Sequence, residues 1–169
     1  YNGSFYFNSA GYQKQYDTNK YQAVITNDFL FNSTSFVSNG GFKSNYQFLL
    51  KHDSSYNSNP NADGSSSDLY QSILFKSELP LIKSTESSEN YLKPIFAAKL
   101  SPNNSKDISN NDLRLSYDNI FSFNRIGSSR NIEEGRSLSV GLEYTKSYNE
   151  NSNFLKFGIA NSLSDKKNN

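Results

Sequence analysis

The sequence predicts an all-β fold, an antiparallel sheet whose strands carry one wet face and one apolar face. Three observations point there. Only 34% of the 169 residues are hydrophobic, yet 15% are aromatic, from 13 Phe and 12 Tyr. Disordered chains are poor in aromatic and β-branched residues, so the polarity is not that of an unfolded segment. Side chains alternate with period two wherever a period is visible, and clusters of Asn, Gly, Ser and Asp separate the alternating runs. In such a strand only every second residue meets an apolar phase, which reconciles many rings with few aliphatics. Composition leaves open whether that phase is a protein core or lipid.

Taken in order, the first segment, around Ser4 to Tyr16, is aromatic but mixed, without a clear register. From Lys20, the odd positions Tyr21, Ala23, Ile25, Phe29 and Phe31 oppose Lys20, Gln22, Thr26, Asp28 and Asn32. After the turn signal Asn39-Gly40-Gly41, Phe42, Tyr46, Phe48 and Leu50 oppose Lys43, Asn45, Gln47 and Lys51. The Ser/Asn/Asp-rich stretch Asp53 to Ser67 reads as a loop. From Asp68, Leu69, Ile73, Phe75, Leu79 and Leu81 oppose Ser72, Lys76 and Glu78. Leu92, Phe96, Ala98 and Leu100 then oppose Lys93 and Lys99. Ser101 to Asn111 is a connection, after which Leu113, Leu115 and Tyr117 oppose Arg114, Ser116 and Asp118 and predict a further strand. A second long connection runs from Asn124 to Glu134. Leu138, Val140, Leu142 and Tyr144 follow, and Leu155, Phe157 and Ile159 close the series. No segment carries a 3.6-residue stripe.

Many of these runs approach the ~9–11 residues with which a tilted strand crosses a bilayer, while no stretch reaches the ~18 apolar residues of a membrane helix. Aromatic residues gather near strand ends: Tyr12, Tyr16 and Tyr21; Tyr91; Tyr117, Phe121 and Phe123; Tyr144 and Tyr148. Rings with a polar tip suit a water–lipid boundary, although aromatics also pair well across strands. The expected architecture is a transmembrane β-barrel segment over residues 1–169, about eight strands of a larger outer-membrane barrel. The ends carry no signal segment and no terminal strand, so an internal piece of a longer protein is expected, located in the outer membrane of a Gram-negative bacterium. Two successive long connections leave the strand orientation open.

The residues give little support for an enzyme. Cysteine is absent, which excludes disulfides and thiolate metal sites. His52 is the sole histidine and stands beside Lys51 and Asp53 at an expected strand end, so it reads as a solvated loop residue. Glu133 and Glu134 are adjacent, and adjacent side chains on an extended strand diverge rather than converge on one substrate bond. No phosphate-binding loop or metal-ligand spacing is present, and no cofactor is expected. A net charge of +1 with scattered Lys and Arg gives no nucleic-acid footprint.

Several segments, in shared order and spacing, resemble one family. Asp118-Asn119-Ile120-Phe121-Ser122-Phe123-Asn124-Arg125 is similar to an acidic-Asn-Leu-Phe-Ser segment ending in Arg. Ile132-Glu133-Glu134-Gly135-Arg136 and Gly141-Leu142-Glu143-Tyr144 match its Ile-Glu-acidic-Gly-Arg and Gly-Leu-x-Tyr elements. Upstream, Glu78-Leu79-Pro80-Leu81, Leu92-Lys93-Pro94-Ile95, Ser101-Pro102-Asn103 and Ile108 to Asp112 resemble its strand ends and loops. Together, over residues 68–162, the chain resembles the barrel region of the lipopolysaccharide-assembly LptD family, the organic solvent tolerance proteins. Gly127-Ser128-Ser129-Arg130-Asn131 departs from the family, which has an aromatic and an Asp-Arg pair there.

The resemblance implies part of an outer-membrane translocon that inserts lipopolysaccharide into the outer leaflet. Its implied partners are lipopolysaccharide, periplasmic lipopolysaccharide bridge proteins, an LptE-like lipoprotein plug and outer-membrane lipid. Asp118, Asn119, Phe121, Arg125, Glu133, Gly135 and Arg136 are the motif positions, expected to serve the wall, the lumen or its rim. A midplane Arg in lipid costs roughly 2–4 kcal/mol, so Arg125, Arg130 and Arg136 are expected in the lumen, at its rim, or paired with Asp118, Glu133 or Glu134. Rim arginines also suit lipid phosphates. The rival readings are another outer-membrane barrel, such as a porin or receptor, and a soluble β-sandwich binding module.

Overall fold

In a computed structural model the chain forms one antiparallel sheet, described over residues 2–16, 20–58, 64–102, 115–123, 125, 130, 132–148 and 154–165. Nine strands build it: β1 (Gly3–Tyr16), β2 (Lys20–Ser33), β3 (Phe36–Val37), β4 (Lys43–Ser58), β5 (Gly64–Glu78), β6 (Leu81–Ser84), β7 (Ser88–Ser101), β8 (Gly135–Tyr148) and β9 (Phe154–Ser164). The order β1-β2-β4-β5-β7-β8-β9 is that of an up-and-down meander, with β3 beside β4 and β6 beside β7. No helix occurs among the described residues, and the sheet is open, with β1 and β9 as its edges.

The two short strands continue their predecessors. Both β2 and β3 pair with β4, interrupted at residues 33–35, where Ser33 Oγ accepts the Tyr46 N–H at 2.9 Å. Both β5 and β6 pair with β7, interrupted at Leu79 and Pro80; Pro80 has no N–H to give to a ladder. Seven continuous paths therefore cross the sheet. The expected turn at Asn39-Gly40-Gly41 is present, closed by Gly41 N–H to the Ser38 carbonyl at 2.9 Å with Gly41 at φ +80°. A left-handed φ of this kind favours glycine.

Three expectations are corrected. Asp53 to Ser58 and Gly64 to Ser67 are strand rather than loop: β4 runs on to Ser58 and β5 begins at Gly64, and Ser55 and Ser66 hydrogen bond across the pair at 2.8 Å, while residues 59–63 lie outside the described residues. His52 is therefore a half-buried strand residue; its Nε2 lies 3.0 Å from Ser67 Oγ and its Nδ1 3.4 Å from Asn27 Nδ2. Leu115 to Asp118 is not a strand but the start of a turn over residues 115–123, in which the Ile120 N–H reaches the Ser116 carbonyl. Leu113, Arg114, Asn124 and the Ile108 to Asp112 segment lie outside the described residues. The described residues between β7 and β8, 115–123, 125, 130 and 132–134, contain no strand.

Register fixes which side chains share a face. One face, the outer, carries Phe5 and Phe7 of β1, Ile25 and Phe29 of β2, Phe48 and Leu50 of β4, Leu69, Ile73 and Phe75 of β5. It continues through Leu92, Phe96 and Leu100 of β7, Leu138, Val140 and Leu142 of β8, and Phe157 and Ile159 of β9. Nearly all of these are exposed; no second layer covers them among the described residues. The opposite, inner face carries Asp28, Lys51, Asp53, Ser72, Lys99, Ser139 and Glu143. The small hydrophobic core lies on this polar side, where Ile120, Phe121 and Phe123 pack against Leu74, Ile95 and Ala97.

Candidate functional site

The inner face is a polar wall held by paired charges. Lys51 meets Asp28 at 2.6 Å, and Glu143 sits between Lys93 at 2.8 Å and Lys156 at 3.1 Å. Ser72 and Ser101 hydrogen bond at 2.7 Å. These are cross-strand or diagonal neighbours, the pairs in which sheets place complementary groups.

Onto this wall folds the segment between β7 and β8. Its turn is built locally: Asn119 Oδ1 accepts the Ser116 N–H at 2.9 Å, and the Asn119 carbonyl accepts both the N–H and the hydroxyl of Ser122. The turn aims Tyr117 and Phe121 at two glycines. A Cβ on Gly141 would lie 2.5 Å from the Phe121 ring, and one on Gly158 would lie 2.7 Å from the Tyr117 ring. A glycine inside a strand commonly marks such a close approach. The two rings meet edge-on at 5.8 Å.

Beyond the turn the segment is fastened by charge. Arg125 grips Glu133 through both carboxylate oxygens, Nε at 2.6 Å and Nη2 at 2.5 Å, while Lys99 Nζ donates to Glu133 Oε2 at 2.5 Å. Arg125 Nη1 also donates to Ser162 Oγ at 2.6 Å, which reaches β9. All three charged side chains are at most 3% exposed. Burial pushes the Glu133 carboxyl up, but the Arg125 hydrogen bonds and the Lys99 charge outweigh it and hold it below the usual carboxylate range. Further along, Arg130 donates from Nε and Nη2 to the fully buried Asp53 on β4, whose Oδ1 also accepts from Thr26.

Of the motif positions, Asn119, Phe121, Arg125, Glu133 and Gly135 come together in this segment, with Gly135 at φ +97° where it enters β8. Asp118 and Arg136 do not join them. Asp118 is exposed on the turn and has no ion pair among the described residues. Arg136 stands on the outer face at the start of β8, 80% exposed, with Nε 4.0 Å from Asp165 Oδ2. Of the expected pairings, Arg125 with Glu133 is present, whereas Arg130 takes Asp53 and Arg136 faces Asp165. Phe121 and Phe123, expected in an aromatic girdle, are buried on the inner face because Leu74, Ile95 and Ala97 offer the apolar ground beneath them. Lys99, Asp53 and Gly158 were not singled out by the sequence, and Gly141 was read only as a motif position; a glycine inside each of two strands otherwise built of alternating apolar residues was the available signal.

The segment leaves clefts against the wall, two of them beside Phe121 or Phe123. One, of about 530 Å³, is lined by Lys43, Asn45, Gln47, Lys76, Glu78 and Phe121. The other, of about 260 Å³, lies between Tyr6, Asn8, Lys51, Phe123 and Ile132. Amides, charges and an aromatic rim suit a hydroxylated or charged solute. A scan against family models, a search of curated proteins and a search of solved structures each return no match for this chain.

Proposed function

We propose that this chain is a section of the wall of an outer-membrane β-barrel, and that the barrel is of the LptD type, delivering lipopolysaccharide to the outer leaflet. The observation that carries the reading is the asymmetry of the single sheet. Its uncovered face is apolar, and its opposite face is polar, ion-paired and partly filled by its own chain. A barrel wall between lipid and a wet lumen has this division.

Two features support a membrane rather than a missing protein layer. On β8 the outer-face residues Leu138, Val140, Leu142 and Tyr144 are bracketed by Arg136 and Lys146, about 33 Å apart along the strand at ~3.3 Å per residue. Tilted by ~40°, that length spans about 25 Å, the height of the apolar band of such barrels. The lateral row Phe5–Phe31–Phe48–Ile73–Leu100–Arg136 crosses the sheet obliquely to this band. It is mid-band on β5, at the band's end on β7 and beyond it on β8, as in strands tilted to a membrane plane. Long connections face outward in bacterial barrels, so the end bearing residues 102–134 is the outer one in this reading.

Within this reading the polar wall carries the saccharide and the apolar face keeps acyl chains outside. The lipopolysaccharide assignment rests on the resemblance over residues 68–162. The test is depletion of the full-length protein in its own organism. Lipopolysaccharide is expected to vanish from the cell surface and accumulate inside. Unchanged surface lipopolysaccharide with slowed uptake of a polar solute overturns it in favour of a porin or receptor, which the charged 530 Å³ cleft also fits.

A further inference from the structure

We infer that the outer face holds a specific site for one phosphate-bearing membrane lipid, its acyl chain beside Ala98 and its phosphate on Arg136. The site rests on the reading of this face as lipid-facing and adds a defined ligand position to it. A groove of about 540 Å³ crosses the outer face, lined by Ile73, Phe75, Ala98, Leu100, Leu138 and Leu163. Its cause lies in the register. Along the row Phe75–Ala98–Leu138–Leu163, Ala98 is a single small residue between three large ones, so the surface dips there.

A second cause is a step in the sheet. Pairing of β5 with β7 begins only at Ile73 and Leu100, while β5 itself starts at Gly64, so the groove opens at the point where β7 ends. Leu100 and Arg136 are register partners and close this end.

The charge at that end decides the occupant. Arg136 is the only charged side chain on the outer face of β8 before Lys146, and it is 80% exposed. Asp165 is held in place by accepting the Arg136 backbone N–H at 2.7 Å, and it faces the guanidinium only through Nε at 4.0 Å. The two terminal guanidinium nitrogens have no protein partner among the described residues. They present the planar fork that phosphate oxygens accept in pairs. An apolar groove that ends on such a fork matches an amphiphile with a phosphate at its headgroup. A neutral lipid would leave the guanidinium unpaired, and free phosphate would leave the groove unfilled.

The experiment is native mass spectrometry of the full-length protein in detergent, titrated with phosphatidylglycerol or with diacylglycerol of the same chains. One retained phosphatidylglycerol is expected, with diacylglycerol bound at least tenfold more weakly and no competition from millimolar inorganic phosphate. Arg136→Gln and Ala98→Phe should each weaken retention about tenfold; the first removes the fork and the second fills the dip. Equal retention by wild type and both variants, or displacement by inorganic phosphate alone, overturns the site. A control in vesicles separates this from the wider reading. A protein that inserts in the bilayer yet retains lipid equally in all forms loses only the site, whereas one that stays soluble without detergent loses the membrane face itself.

Discussion

The ring of Phe121 occupies the space that a side chain on Gly141 would need. This pairing joins the turn after β7 to the middle of β8, and it is matched by Tyr117 against Gly158. Gly141→Val is therefore expected to lift the turn from the wall, at a cost of about 1–3 kcal/mol for overpacking. Limited proteolysis of the full-length protein reads it as faster cleavage within residues 115–134. Adding Phe121→Ala to Gly141→Val should recover part of the loss, because the cavity then accepts the new side chain.

Glu133 is the hub of the buried charge cluster, and its removal leaves two cations without a carboxylate. Glu133→Gln should cost about 3–5 kcal/mol of segment docking, the range for breaking a buried pair on one side. Replacing Arg125, Lys99 and Glu133 together with apolar residues should cost much less. If the single and triple changes were equally harmful, the cluster would not be acting through unpaired charge.

The same residue sets an acid limit. Its carboxyl titrates below the usual range in the folded protein, so the unfolded state binds the proton more readily. The contribution to docking is then fully present above the ordinary carboxylate pKa of about 4.3 and is lost as pH falls below it. Protease protection of the segment should hold from pH 7 to pH 5 and fall in the more acid range. In Glu133→Gln this acid step should be absent.

Asp53→Asn tests the second fastening. Arg130 is about a third exposed and can turn to water, so the cost should be smaller, about 1–2 kcal/mol. A loss as large as that of Glu133→Gln would mean that Asp53 serves the β2–β4 pairing through Thr26 more than it serves the segment.

Val140→Arg separates lipid from water on the outer face. Half-exposed Val140 sits between Leu138 and Leu142. In a bilayer the change should reduce assembled protein in the outer membrane, consistent with roughly 2–4 kcal/mol at the midplane. Lys146→Arg at the band's end should leave assembly unchanged. Full assembly of Val140→Arg would argue that this face meets water.

The strands were legible where apolar alternation on the outer face is strong, as at Ile25, Phe29 and Phe31 or Leu138, Val140 and Leu142. They were not legible from Asp53 to Ser67, because there the hairpin is held by hydroxyl pairs such as Ser55 with Ser66, and serine reads as loop. Leu115 and Tyr117 alternated over too short a span to distinguish a strand from a turn. The cluster was half visible. Arg125 with Glu133 was expected from nearby charges, whereas Lys99 lies 34 residues from Glu133 in the chain and only the fold joins them.

Residues 102–134 touch more of the wall than their neighbours β7 and β8. Arg130 is tied to β4, Glu133 to β7, Phe121 to β8 and Arg125 to β9. A connection with feet on so many strands acts as a brace against sliding within the sheet. Any widening between β4 and β9 must break either the Arg130–Asp53 tie or the Arg125–Glu133–Lys99 cluster, so this stretch should behave as the stiff side of the wall, and yielding should begin at strands beyond it.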